Sequence, residues 1–70
     1  MNKKVEKRLE EIKKMALDIQ EMCKCIAYDV DDTTSSDDLL IIESHFETIS
    51  RRANDGYDYV RNIYDEFDEE

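Results

Sequence analysis

The chain has 70 residues, a formal net charge of −9, no proline and a single glycine. A chain of this length forms one small domain with a thin core, and the lack of turn residues excludes sandwiches and barrels and favours an all-α fold. The acidic charge argues against direct nucleic-acid binding, which needs basic patches that displace counterions, and favours a basic protein partner.

The first predicted helix covers residues 3–30. Its apolar residues recur in alternating steps of four and three, the pattern of a helix that packs along a seam with about 3.5 residues per turn. The stripe consists of Val5, Leu9, Ile12, Ala16, Ile19, Cys23, Ile26 and Val30. No apolar core follows the N-terminal lysines, and no apolar run reaches the roughly 20 residues that span a membrane. We therefore expect a cytoplasmic protein without a signal peptide.

A polar segment, DDTTSSDD, follows at residues 31–38. Because it contains no apolar residue, we predict an acidic loop over residues 31–35. Ser35 followed by Asp38 resembles a capping box, and Asp37 and Asp38 suit the positive N-terminus of the next helix.

The second predicted helix covers residues 36–68. Its stripe consists of Leu39, Ile42, Phe46, Ile49, Ala53, Gly56, Val60, Ile63 and Phe67. A glycine inside a helix costs about 1 kcal/mol relative to alanine, but the apolar phase is unbroken on both sides of Gly56. This favours one long helix, straight or bent at Gly56. The alternative ends a helix near Asn54, with Gly56 as its cap, and begins a third helix at Tyr57.

A short loop between two long helices predicts an antiparallel helical hairpin. Two helices bury one seam only, so other apolar side chains need cover. These are Met15, Met22, Leu40, Ile41, Tyr57, Tyr59 and Tyr64. The usual solution is a symmetric homodimer that forms a four-helix bundle.

Charge is unevenly distributed along the chain. Residues 1–28 carry a net charge of +2, whereas residues 29–70 carry a net charge of −11. In a hairpin the acids of residues 65–70 return beside the N-terminal cations. Cations at the N-terminus of one helix and acids at the C-terminus of the other each interact unfavourably with their own helix dipole. Pairing between the two clusters would reduce both costs. The cations are Lys3, Lys4, Lys7 and Arg8. We therefore predict ion pairing across the open end of the hairpin.

Two further groups of acids lack such partners, one around the loop and one in a row on the outer face of helix two. The candidate partner-binding residues are Asp29, Asp31, Asp32, Asp37, Asp38, Asp55, Asp58, Asp65 and Glu69. The row repeats about every 5–6 Å, close to the scale of phosphates along a nucleic-acid strand. One interpretation is phosphate mimicry towards a DNA-binding protein. The other is a solvated face that keeps a small protein in solution.

No cluster of residues points to catalysis. No carboxylate stands among apolar residues that would raise its pKa for acid–base work, and no glycine-rich loop is present to bind phosphates. Cys23 and Cys25 face nearly opposite sides of a helix and cannot readily chelate one metal ion, so Cys23 is predicted to fill the core. His45, the only histidine, is expected near Cys23. We predict neither an enzyme nor a cofactor.

The chain resembles the small acidic DNA-mimic proteins that lytic phages make during host takeover, in particular those that inhibit the histone-like nucleoid protein HU. The similarity covers size, charge, the lack of enzyme residues and the dense Asp/Glu composition of residues 29–38 and 54–70. It implies an acidic dimer in the host cytoplasm that occupies the DNA-binding cleft of a basic partner. The lysine-rich first helix departs from a uniformly acidic mimic, so only part of the surface could imitate a duplex.

Two other functions remain open. A helical adaptor or anti-defence protein would bind its partner through an apolar surface that includes Tyr57, Tyr59 and Tyr64. A nucleotide-sequestering bundle would use the few cations of helix two, which are Arg51, Arg52 and Arg61.

Overall fold

A computed structural model describes residues 3–68, except for the side chains of Asp65 and Asp68. Three helices follow one another: α1 (Lys3–Asp32), α2 (Ser36–Asn62) and α3 (Tyr64–Asp68). The described range contains no strand, so the predicted all-α class is confirmed. Helices α1 and α2 pack as an antiparallel hairpin whose Cα atoms extend over 54 × 16 × 9 Å.

The turn of the hairpin is shorter than predicted. Helix α1 continues to Asp32 rather than ending at residue 30, and only residues 33–35 lie outside the two long helices. Thr33 stabilises the last turn of α1, because its backbone N–H donates to the carbonyl of Val30 at 3.2 Å and its hydroxyl donates to the carbonyl of Asp29 at 2.7 Å. These bonds satisfy carbonyls that a helix end leaves without partners.

Asp38 makes the main contacts at the start of α2, and the predicted capping box of Ser35 and Asp38 is not complete. Ser35 is the N-cap residue, yet its side chain makes no capping hydrogen bond. Instead, Asp38 Oδ2 accepts hydrogen bonds from the backbone N–H of Thr34 at 2.9 Å and from the Thr34 hydroxyl at 3.2 Å. The Thr34 N–H is the main cause of the lowered pKa of the Asp38 carboxyl. The predicted capping box is therefore formed only in part: the Ser35 hydroxyl donates to Asp38 Oδ2 at 3.5 Å, but the Ser35 side chain makes no capping hydrogen bond to the backbone.

Helix α2 passes through Gly56 without a break, so the alternative with a cap at Gly56 is wrong. None of the described residues has a positive φ. The helix ends instead at Asn62. The next residue, Ile63, has a φ of −99° and a ψ of 0°, outside the helical region, and its N–H donates to the carbonyl of Val60. This tighter bond is typical of a last helical turn. The single predicted helix over 36–68 is thus interrupted at one residue, and α3 follows.

The seam between α1 and α2 is shifted from the predicted stripes. The isoleucines of the stripes face the other helix as predicted. On alternate turns, however, the residue that faces the other helix precedes the predicted one by one position, as Arg8 precedes Leu9. The seam of α1 runs through Val5, Arg8, Ile12, Met15, Ile19, Met22, Ile26 and Asp29. In α2 it runs through Ile42, His45, Ile49, Arg52, Gly56 and Tyr59, and it ends at Ile63. Cys23, predicted to fill the core, is exposed in the single chain.

The core is thin. Among the described residues, the buried hydrophobic side chains are Val5, Ile26 and Ile63. Leu40, Ile41, Tyr57 and Tyr64, which the sequence marks as needing cover, are exposed. The single hairpin therefore leaves much of its apolar surface in contact with water, at a cost of about 25 cal/mol for each Å².

Candidate partner-binding surfaces

One side of the hairpin, the polar side, is closed by three contacts that join charged side chains of α1 to side chains of α2 or α3. The Arg8–Glu66 pair lies at the open end, the Asp18–Arg52 pair lies in the middle, and the Asp29–His45 pair lies near the turn. All three join residues that are distant in sequence. Together they connect α1 to α2 and α3 at both ends and in the middle of the hairpin.

The contact at the open end has a bidentate geometry. Arg8 Nε donates to Glu66 Oε2 at 3.1 Å, and Nη2 donates to Oε1 at 3.3 Å. Arg8 Nη1 also donates to the Tyr59 hydroxyl at 3.2 Å, and Lys4 Nζ lies 3.5 Å from Glu66 Oε1. The predicted ion pairing across the open end is confirmed for Glu66. The side chains of Asp65 and Asp68 and the whole of residues 69–70 lie outside the described part of the chain.

Acid should weaken this contact. The Arg8 side chain, which is hydrogen-bonded to Glu66, holds the pKa of the Glu66 carboxyl below its usual value. A lowered folded-state pKa adds stability that is present above the unfolded pKa of about 4.3 and is lost as the pH falls below it. We therefore expect Glu66→Gln to lower the melting temperature at about pH 7, with the difference from wild type closing towards about pH 3.

A thermal melting series of both proteins over this pH range measures the effect. Glu47→Gln is the matched control, because Glu47 forms only an exposed pair with Arg51 on its own helix, at 3.7 Å. If the melting temperature of Glu66→Gln stays below that of the wild type by the same amount in acid, the Glu66 carboxylate is not the source of the stability.

The contact near the turn involves a carboxylate oxygen that is poorly satisfied. Asp29 Oδ2 is buried and accepts no hydrogen bond of good geometry from the described residues, although His45 Nε2 lies 3.0 Å away. Proximity at this distance gives an ion pair when His45 is protonated. Within the described range, no group of three or more His, Cys, Asp or Glu side chains could hold a metal ion.

The opposite side of the hairpin, the apolar side, presents the remaining residues of the predicted stripes. These residues follow every second seam residue, such as Val5, Ile12 and Ile49, by four positions, and so they lie on one flank of their helix. Because α1 and α2 are antiparallel, this flank of α1 and the same flank of α2 lie on the same side of the hairpin. The apolar side consists of Leu9, Ala16, Cys23, Val30, Leu39, Phe46, Ala53, Val60 and Phe67. No charged residue belongs to this set.

At the open end the apolar side forms a groove of about 370 Å³. The groove is lined by Leu9, Ile12, Val60, Ile63, Tyr64 and Phe67. Near the turn the same side carries protruding side chains, since Val30, Leu39 and Phe46 are 55%, 54% and 57% exposed. The middle of this side carries the small residues Ala16 and Ala53. Large side chains therefore stand at both ends of a continuous apolar strip.

The predicted acidic contact residues fall into three groups in the structure. Those that are exposed and make no ion pair with a described residue are Asp31, Asp32, Asp37, Asp55 and Asp58. Asp29 and Asp38 are half-buried, and internal contacts engage their carboxylates, with His45 and with the turn respectively. The side chain of Asp65 and all of Glu69 lie outside the described residues. The structure therefore brings Asp31, Asp32 and Asp37 together around the turn, apart from the two aspartates of α2.

The polar side escaped the sequence-based reasoning, although a signal for it was present. His45, Arg52, Tyr59 and Glu66 follow one another at steps of seven, the repeat of one position in a helical seam. Two of the three arginines of α2 are engaged in ion pairs, Arg51 with Glu47 and Arg52 with Asp18. A nucleotide would therefore have to displace carboxylates from these guanidinium groups.

Comparison of the chain with protein families, curated proteins and solved structures gives no match. Over the described residues, no helix has the length and apolar character needed to cross a membrane. The candidate partner-binding surfaces are therefore interpreted from their own chemistry.

Proposed function

We propose that this chain is a non-enzymatic acidic protein that mimics DNA and blocks a basic DNA-binding protein such as the nucleoid protein HU. The observation that carries the proposal is the charge around the turn. Residues 26–45 contain six Asp and Glu residues and no Lys or Arg. Three of these acids, Asp31, Asp32 and Asp37, are exposed and lack ion-pair partners among the described residues.

The helical frame supports the display of these charges. Asp31 and Asp32 are the last residues of α1, and Asp37 is in the first turn of α2, so each carboxylate is attached to regular backbone. Asp55 and Asp58 add two exposed charges on α2, about 4.5 Å apart along the helix axis. A DNA strand carries one charge every 3.4 Å or so. A basic cleft that binds phosphates could therefore pair with both carboxylates.

We also propose that the protein works as a homodimer in which two hairpins form a four-helix bundle. The three buried hydrophobic residues found over the described part of the chain make a small core for a chain of this length. A second copy would cover the apolar side and would leave the acids around both turns exposed. Dimerisation would thereby double the number of carboxylates presented to one partner.

Displacement of labelled duplex DNA from HU, measured over a range of salt concentrations, tests the mimicry. We expect competition at low salt and a loss of roughly tenfold or more in affinity for each severalfold increase in salt, because exposed charge pairs are screened. Asp55→Asn/Asp58→Asn should weaken competition about tenfold, which corresponds to about 1.4 kcal/mol.

Glu6→Gln/Glu10→Gln is the matched control, since it removes the same charge from exposed positions of α1 outside the proposed contact. Salt-independent competition would contradict the proposal, and so would an equal loss in both double variants. The second result would mean that only total charge matters.

The apolar side supports a second candidate function, a helical adaptor or anti-defence protein that binds its partner through apolar and tyrosine side chains. Tyr57 and Tyr64 are exposed, and Tyr64 lines the groove of the apolar side. Binding of this kind would tolerate high salt and Asp→Asn changes and would be lost on Tyr64→Ala. The salt dependence of the competition measurement and its response to the Asp→Asn changes distinguish the two functions.

A further inference from the structure

We infer that a second copy of this chain covers the apolar side in a head-to-tail orientation, with the turns of the two hairpins at opposite ends of the bundle. This inference rests on the proposed homodimer and specifies both its interface and its orientation. It does not depend on the identity of the partner.

The apolar side has the size that a dimer interface needs. The side on which the apolar residues lie measures 54 by 16 Å between Cα atoms, which gives room for an interface of standard size, about 800 Å² of buried surface on each partner. The face is also apolar along its whole length, whereas the polar side is closed by pairs between the chain's own helices. One hairpin therefore offers one face for association.

Two-fold symmetry allows two ways to place these faces together. With the axis parallel to the helices, both turns lie at the same end, and α1 packs on α2 of the other copy. With the axis across the helices, the turns lie at opposite ends, α1 packs on α1, and α2 packs on α2. Neighbouring helices are antiparallel in both bundles, so helix direction alone does not choose between them.

Charge at the turn disfavours the first arrangement. Each copy has six acids and no Lys or Arg within residues 26–45. Placing both turns at one end would bring twelve acids together, and like charges at close range repel each other by about 1 kcal/mol per pair even in water. The second arrangement separates the two acidic turns by the length of the molecule.

Charge along α1 favours the second arrangement. Residues 3–14 contain six Lys and Arg against three Glu, whereas residues 15–32 contain five Asp and Glu against one Lys. Antiparallel packing of α1 on the α1 of a second copy places the basic half beside the acidic half, twice in each dimer. In the first arrangement the acidic half of α1 lies instead beside the start of α2, residues 36–49, which contains four acids and no Lys or Arg.

Shape agrees with charge. The ion pairs show the register of the hairpin: Arg8 lies opposite Glu66, and Asp18 lies opposite Arg52. In this register the middle of α1, near Asp18, lies across from α2 near residue 54, which is therefore the centre of the molecule on α2. In the head-to-tail dimer, Phe46 of one copy then lies over Val60 and Ile63 of the other. An exposed aromatic ring thereby enters the apolar groove.

Distance measurements between spin labels test the orientation. The label is attached at Ser36→Cys, in a chain whose native thiols are removed by Cys23→Ala and Cys25→Ala. Ser36 is exposed beside the turn. Head-to-tail packing predicts a distance approaching the 54 Å length of the molecule, whereas adjacent turns predict about 20 Å, roughly twice the distance between packed helices.

Asn54→Cys in the same background is the matched control. It is exposed at the centre of the hairpin, so both arrangements predict about 20 Å. A long distance at Ser36→Cys with a short one at Asn54→Cys supports the inference. Short distances at both positions overturn the orientation but leave the dimer in place, and a monomeric mass with no coupling overturns both. HU competition reports on the proposed function separately.

Discussion

Phe46→Asp should convert the proposed dimer into a monomer. Phe46 is 57% exposed in the single hairpin, so an aspartate is accommodated by the folded chain. In the proposed dimer the same side chain fills the groove of the other copy, and interface aromatics of this kind contribute about 2 kcal/mol or more each. Two copies are lost in each dimer, which gives about 4 kcal/mol, or roughly a thousandfold increase in the dissociation constant. Sedimentation equilibrium measures this change.

Leu40→Asp is the control for this experiment. Leu40 is also exposed, at 63%, but it precedes the seam residue Ile42 by two positions and so lies on the opposite face of α2. It receives the same charge and loses an apolar side chain of similar size. We expect Leu40→Asp to remain dimeric with a dissociation constant near that of the wild type. A monomeric Leu40→Asp together with a dimeric Phe46→Asp would place the interface on the outer face of α2.

The spacing of apolar residues was sufficient to predict the helices and their pairing. A stripe with alternating steps of three and four is compatible only with a helix that buries one face, and a polar segment too short for another element implies a hairpin. The same spacing could not specify which flank of each stripe faces the other helix. Both flanks of the isoleucine row carry residues that can be buried, for example Met15 on one flank and Leu9 on the other.

The choice between the flanks depends on contacts between residues far apart in sequence. Arg8 finds a bidentate partner in Glu66, and Arg52 finds Asp18, only when the flank that carries them faces inwards. Exposed ion pairs are individually weak. They decide which flank faces inwards mainly because the apolar residues of the other flank can be buried elsewhere. In the proposed dimer, the second copy supplies that place for Leu9 and Phe46.

The two proposals are connected through the acids of the turn. Head-to-tail packing leaves an acidic cluster at each end of the bundle, about 50 Å apart. A basic partner with a cleft on each of two subunits could then engage both clusters, and linked binding of this kind raises affinity beyond that of one cluster. The monomeric Phe46→Asp variant keeps one complete cluster. Comparison of its competition with DNA for HU with that of Leu40→Asp, which carries the same added charge and is expected to remain dimeric, therefore separates the contribution of the charges from that of dimerisation.

Gly56→Ala should stabilise the protein. Gly56 lies inside α2 with a helical backbone, and a Cβ at this position would lie 3.9 Å from Met15 Sδ, an ordinary van der Waals contact. Alanine also restricts the unfolded chain more than glycine does. We expect a gain of about 0.5–1 kcal/mol in the free energy of unfolding, measured by urea denaturation.

Gly56→Asn distinguishes the helical conformation from the capping alternative. Asparagine tolerates the left-handed region far better than alanine does, but it is a poorer helix former. A helical Gly56 predicts that stability decreases in the order Ala, Asn, Gly. A left-handed cap at Gly56 predicts instead that Ala is the least stable of the three. That second order would mean that α2 ends at Gly56 in solution, and the positions of Val60 on the apolar side and of Ile63 in the seam would then have to be reassigned.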